Sequence, residues 1–229
     1  MAGTRGCFIV LEGPEGAGKS TQLPRLARRL TAAGHDLAMT REPGGTPHGE
    51  RIRAVLLDPA GEALDPVAEA LLFAAARAEL VRRVIGPALE AGRVVLSDRF
   101  TASTLAYQGY GRGLALPALE AVNALATGGC TPDAVLLLDL PADLGLARRR
   151  GAGGLDRIDR EALAFHERVA AGYRALAAAD PARWRVIDAA AEPDAVADAL
   201  FIAAHGVLAE RVRAASTPWR AGDAAHRRA

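Results

Sequence analysis

Lys19 is the only lysine of the chain; every other residue among its 28 Lys and Arg is an arginine. It stands in Gly13-Pro14-Glu15-Gly16-Ala17-Gly18-Lys19-Ser20, which fits G-x-x-x-x-G-K-[ST] and runs on into Thr21. Those residue types suit a polyphosphate. An ammonium is a compact point charge that enters between phosphate oxygens, whereas a planar guanidinium is wider and forks. The glycines let backbone N–H groups turn inward around phosphates. Ser20 offers a hydroxyl to Mg²⁺, and a following helix adds the positive end of its dipole.

Three further groups could carry chemistry. Val94-Val95-Leu96-Ser97-Asp98 is an apolar run ending in a carboxylate, the place for an acid near Mg²⁺ or its waters. Leu136-Leu137-Leu138-Asp139 has the same form, but Asp98 is followed at once by Arg99, a cation able to hold a second phosphate. Asp98 is therefore preferred, and Asp139 is read as ordering the next turn. Arg148-Arg149-Arg150-Gly151-Ala152-Gly153-Gly154-Leu155-Asp156-Arg157 closes a helical stretch with cations, which suits the negative end of a helix dipole. Its glycines also fit a mobile lid, about 148–158, that carries arginines to a transferring phosphoryl group. Phe73 and Arg77 lie four apart on a helical run and share a face. That pair is either core or a ring and a donor for a base, and the spacing leaves both open.

The elements that position these groups read as alternating strands and helices. Strand-like runs fall at Cys7–Leu11, Leu37–Thr40, Val94–Leu96, Ala134–Leu138 and Trp184–Ile187, with helical spacing over Thr21–Leu30, Pro66–Glu90, Pro117–Ala126, Arg160–Ala178 and Asp194–Arg213. Pro24 removes one N–H inside the first helix and predicts a local bend. Such alternation predicts a five-stranded parallel sheet covered by helices on both faces, a three-layer α/β fold with ligands at the carboxyl ends of the strands. One domain is expected over 1–213, with a flexible Arg-rich tail over 214–229.

Composition sets limits. Half of the 229 residues are apolar, enough for a sizeable core, and a net charge of +1 points to neither nucleic acid nor membrane as partner. Cys7 and Cys130 lack any metal-type or disulfide-framework spacing, and no apolar run reads as a signal peptide or membrane span. A cytoplasmic setting is expected.

Taken in order, these pieces resemble the bacterial thymidylate kinases, members of the P-loop nucleoside monophosphate kinases. The resemblance covers Cys7 to about Leu208. It is carried by Leu11 to Thr21, Thr40-Arg41-Glu42-Pro43-Gly44-Gly45-Thr46, Asp98-Arg99-Phe100, Ser103-Thr104-Leu105-Ala106-Tyr107-Gln108-Gly109 and Leu155-Asp156-Arg157-Ile158. It implies a P-loop NTPase fold with a short Arg/Gly-rich lid. The reaction implied is transfer of the γ-phosphoryl of ATP to dTMP with Mg²⁺, giving dTDP and ADP on the way to dTTP, by a homodimer. Lys19, Arg99, Glu15 and Arg150 would be catalytic; residues 13–21 and Arg148 would bind ATP; Ser20 and Asp98 would serve the metal. Phe73 would stack on thymine, with Arg77 and Gln108 on its polar edge and Ser103 and Thr104 lining the pocket. Arg53 and Arg99 would grip the acceptor phosphate, Glu42 would position the acceptor, and Tyr107 would crowd a ribose 2′-hydroxyl. Glu15 stands where some members carry arginine, which in the family goes with arginines supplied by the lid.

The chain also departs from the family. Phe100 replaces the usual tyrosine or histidine, and the lid is thin in polar side chains, which leaves open which of Arg148, Arg150 and Arg157 reaches ATP. The competing readings are a kinase for another nucleoside monophosphate, a catalytically weak nucleotide-binding relative and a nucleotide switch. A guanine switch with an Asn-Lys-x-Asp turn is excluded, since no second lysine exists.

Overall fold

Five apolar runs form one parallel sheet in the computed structural model of the chain, which describes residues 5–216. The strands are β1 (Cys7–Glu12), β2 (Leu37–Arg41), β3 (Val94–Asp98), β4 (Ala134–Asp139) and β5 (Trp184–Asp188), in the order β2-β3-β1-β4-β5. All four pairings are parallel. β1 is buried from end to end, as a central strand covered on both faces must be. Its alternate side chains serve two cores. Ile9 and Leu11 pack with Leu26, Leu30, Leu136 and Leu200, whereas Phe8 and Val10 pack with Leu80, Ile85, Val95 and Phe100.

The helices are α1 (Lys19–Ala32), α2 (Pro47–Leu57), α3 (Pro66–Leu80), α4 (Gly86–Glu90), α5 (Thr101–Thr104), α6 (Leu116–Thr127), α7 (Ala142–Ala152), α8 (Leu163–Ala179) and α9 (Pro193–Ser216). α3 passes through a π-helical turn, Val81–Ile85, into α4, and α5 passes through another, Leu105–Gly111. α1 carries Pro24 and still continues to Ala32. All five expected strands are present, each within a residue or two of the expected bounds. α2 and the Thr101–Gly111 stretch are helical without having been expected so. α9 reaches Ser216, beyond the expected domain end at 213; the rest of the expected flexible tail, 217–229, lies outside the described residues. Among the described residues no helix is long and apolar enough to cross a membrane.

Register gathers the chemistry. Asp98 pairs with Leu11 on one side and Arg41 on the other, so the segments that leave β1, β3 and β2 start side by side at one edge.

Candidate active site

The phosphate loop leaves β1 and closes on α1. Gly16 and Gly18 take φ of 70° and 91°, a left-handed backbone that side chains disfavour. A Cβ on Gly16 would lie 2.0 Å from the Gly145 carbonyl oxygen of α7, so glycine is required there on two counts. α1 begins at Lys19 with no side-chain cap, which leaves its positive end open to an anion.

Lys19 is buried and donates from Nζ to the carbonyls of Gly13 and Pro14, both at 2.8 Å. Arg99 donates from Nη1 to the same Gly13 carbonyl at 3.0 Å. The ammonium of the first loop and the guanidinium after β3 thus converge on one oxygen. Arg99 holds φ at 71°, unusual for a side-chain-bearing residue, with its N–H tied to the Leu11 carbonyl at 2.9 Å. Its guanidinium also reaches Glu15 Oε1 at 2.6 Å and the hydroxyls of Tyr107 and Tyr173, each at 3.0 Å.

The electrostatics follow from this crowding. Burial would raise the Glu15 carboxyl, but the charges of Arg99 and Lys19 and a hydrogen bond from Tyr107 prevail and hold it at about 2. Burial, with the charge of Arg99, lowers the Lys19 ammonium to about 8. Hence the affinity of this loop for a phosphate-bearing ligand is expected to weaken above pH 8, by up to about tenfold per pH unit, as the ammonium is lost from the free protein. Binding that stays level to pH 9.5 would contradict this.

Behind Arg99 lies Glu12, a buried glutamate overlooked among the candidate residues. Its carboxylate accepts from Phe100 N at 2.9 Å, Ser103 Oγ at 2.6 Å and the Tyr173 hydroxyl at 2.9 Å. Burial pushes its carboxyl up, with the Arg99 charge and these donors opposing. The signal available was its place at the end of an apolar strand and directly before the phosphate loop.

One continuous cavity of about 680 Å³ joins most of the expected site residues. Its wall includes the phosphate loop from Glu15 to Thr21 together with Arg148, Ala189, Pro193 and Val196. Phe73, Ser103, Thr104, Tyr107 and Gln108 also line it, as do Glu42, Arg53, Asp98 and Arg99. Arg53 Nη1 also donates to the Pro43 carbonyl at 2.9 Å. Asp139 is absent from the wall and accepts from Arg174 Nε at 2.9 Å. Phe100 is core: its ring meets Phe8 edge-on at 4.9 Å.

Two expectations are corrected. Arg77 does not line the cavity; it is 1% exposed, and all five of its N–H groups are engaged. Nε and Nη2 hold the Glu42 carboxylate, Nη1 holds Thr104 Oγ1 at 3.0 Å and Asn123 Oδ1 at 2.6 Å, and Nη2 also reaches the Phe100 carbonyl at 3.1 Å. Arg150 is exposed and outside the cavity wall, because a residue two beyond Arg148 on α7 faces away from it. Arg149 lines the cavity and binds the Gly153 and Gly154 carbonyls at 2.9 Å each, and Arg157 turns away to Glu69. Of the lid arginines first considered for ATP, only Arg148 lines the cavity.

A parallel sheet in this strand order, with a phosphate loop after its central strand and a second cationic strand tip beside it, defines a P-loop kinase fold. Comparison with known proteins gives the particular family. The thymidylate kinase family model matches residues 11–200. The chain is 57% identical over 202 residues to a thymidylate kinase of Thermomicrobium roseum, covering 88% of this chain and 95% of that one. It is 55% identical over 191 residues to one of Deinococcus radiodurans, covering 83% and 92%. The crystal structure of thymidylate kinase from Ehrlichia chaffeensis superposes with a TM-score of 0.70 at 30% identity, covering 89% of this chain and 99% of that one. The chain belongs to the thymidylate kinase family.

Proposed function

We propose that the protein transfers the γ-phosphoryl of ATP to dTMP, giving dTDP and ADP. The observation that carries this is the convergence of Lys19 and Arg99 on the Gly13 carbonyl at 2.8 and 3.0 Å, both side chains lining one cavity. Phosphoryl transfer asks the protein mainly for in-line positioning and cations on the equatorial oxygens. Lys19 releases its loop carbonyls to hold the donor phosphates, and Arg99 leaves Glu15 to hold the acceptor phosphate, with Arg53 beside it. Before the acceptor arrives Glu15 holds the guanidinium in place, through a contact of 2.6 Å, and its role is to orient rather than to act as a base. The adenine end falls at Arg148 and Ala189–Val196, and the thymine end at Phe73, Thr104 and Gln108.

The residues present fit a magnesium ion. Asp98 ends β3 with Oδ1 buried and without a hydrogen-bond partner, and Ser20 exposes its side chain at the cavity. Such oxygen donors, completed by phosphates and water, suit Mg²⁺, which when bound neutralises charge between the β- and γ-phosphates. A homodimer is the expectation of the family. Val55, Val67, Leu71 and Leu125, exposed on α2, α3 and α6, are apolar residues such an interface would cover. A cytoplasmic setting and the absence of a nucleic-acid partner stay as expectations from composition.

A coupled assay with MgATP and a panel of deoxynucleoside monophosphates tests the proposal. The expected result is preference for dTMP. Preference for a purine or cytidine monophosphate would overturn the assignment of the base end.

A further inference from the structure

Glu69 is wholly buried on α3 and does not line the cavity. Its Oε1 accepts from Gln108 Nε2 at 2.8 Å and Arg112 Nε at 3.3 Å, and its Oε2 from Arg112 Nη2 at 3.2 Å and from Arg157 Nη2 at 2.5 Å. Burial would raise this carboxyl, yet hydrogen bonds from Arg112, Gln108 and Arg157 outweigh it and hold it below the usual carboxylate range. Two arginines on one carboxylate say the same: the group is an anion and can only accept. An amide that meets it must present its NH₂. Gln108 is buried yet lines the cavity, and among the described residues no donor is seen on its Oε1.

We propose that Glu69 is a positioning residue that fixes the Gln108 amide with its carbonyl oxygen toward the acceptor base, so that the site selects a base edge donating N–H over one offering a lone pair. The inference deepens the functional reading above and rests on it. Thymine donates at N3, whereas cytosine presents an unprotonated N3. A glutamine free to turn over would serve both edges, because its amide carries a donor and an acceptor on opposite sides. Held against a carboxylate, it serves one. A site with a fixed polar group rejects the mismatched partner strongly, because the mismatch leaves buried groups unpaired.

The same carboxylate reaches the lid. Arg157 belongs to the segment after α7, and Arg112, which bridges both oxygens of Glu69, also holds Glu161 of that segment at 2.6 Å. Glu69 thus anchors both the base reader and the segment that follows α7.

The test is steady-state kinetics with dTMP and 5-methyl-dCMP, which share the sugar and methyl group and differ at N3 and C4. Glu69→Gln lets the introduced amide turn its NH₂ toward Gln108, so the reader can flip. The dTMP to 5-methyl-dCMP ratio of kcat/KM is expected to drop at least about tenfold, through acceptor KM, with KM for ATP little changed. Glu69→Asp, still acceptor-only, is expected to keep most of the ratio. In a Gln108→Leu background, Glu69→Gln is expected to leave the ratio where Gln108→Leu put it. Equal loss on both acceptors in Glu69→Gln would overturn the proposal, since a purely structural role acts on both alike. A readout independent of Glu69 variants is the side-chain NH₂ signal of Gln108 in the wild-type protein, assigned by its loss in Gln108→Leu. It is expected to stay in place when dTMP binds; a large shift would mean the amide turns its nitrogen to the base, which also overturns the proposal. If the wild-type protein phosphorylates neither pyrimidine, the functional reading falls and this inference with it. If dTMP is phosphorylated and the Glu69→Gln ratio is unmoved, only the role of Glu69 falls.

Discussion

Lys19→Met is expected to lower kcat by about 10²–10³-fold and to leave the protein as stable as before, or more so. The kinetic half follows from where the charge sits. The ammonium lies at the phosphate loop, held by two carbonyls at 2.8 Å, and no other lysine exists to replace it. Charge builds on the transferring group only in the transition state, so the loss belongs in kcat more than in KM. The stability half follows from the sign of the shift. A lysine whose folded pKa lies near 8, below its ordinary 10.5, is more costly to keep charged in the folded protein than in the unfolded chain. That penalty is fully present below pH 8 and is relieved as pH rises from 8 toward 10.5, because the unfolded chain then binds more protons. Methionine keeps the apolar stem and removes the penalty. Single-turnover transfer and a thermal melt, both at pH 7, separate the two effects. A kcat within about threefold of wild type would remove Lys19 from the chemistry.

The loop and the strands were legible because local sequence decides them. β1 is apolar at every position to Leu11, and the glycines that follow have few uses other than an inward-turned backbone. α2 was missed although its start is marked: Thr46 accepts from Gly49 N at 3.0 Å, and Pro47 sits in the first turn. Its apolar spacing is weak, so the periodic signal was faint. Thr101–Gly111 was hidden for another reason. A π-helical turn advances the side chains by a different angle, so a period of 3.6 does not fit it. In the site, residues that line the cavity from the phosphate loop and the tip of β3 were legible, among them Glu15, Lys19, Asp98 and Arg99. What escaped was the layer behind them. Glu12 and Glu69 act through partners distant in sequence, Tyr173 and Arg157, and single-chain spacing carries no record of such pairings. Arg150 was misplaced because a run of three arginines does not say which of them looks inward.

Arg77→Leu is expected to destabilise the protein by roughly 3–5 kcal/mol, the usual result of removing one partner of a buried ion pair. It would leave the Glu42 carboxylate, also buried, with no cation, and deprive Thr104, Asn123 and the Phe100 carbonyl of their donor. A residue that merely touched the base from the cavity wall would behave otherwise, raising acceptor KM with the fold untouched. Urea unfolding distinguishes the two. The pH dependence adds a second check. Burial already pushes the Glu42 carboxyl above its ordinary range while Arg77 opposes it, and without Arg77 the shift grows. A carboxyl with a raised folded pKa regains stability as pH falls toward the unfolded value of 4.5, so the variant is expected to strengthen from pH 8 to pH 5 relative to wild type. Removing both charges, as Arg77→Leu with Glu42→Leu, is expected to recover part of the loss, because no lone buried charge is left. A single variant with wild-type urea stability, or one whose deficit ignores pH, would show that this pair does not support the floor on which Thr104 and the Phe100–Ser103 turn rest.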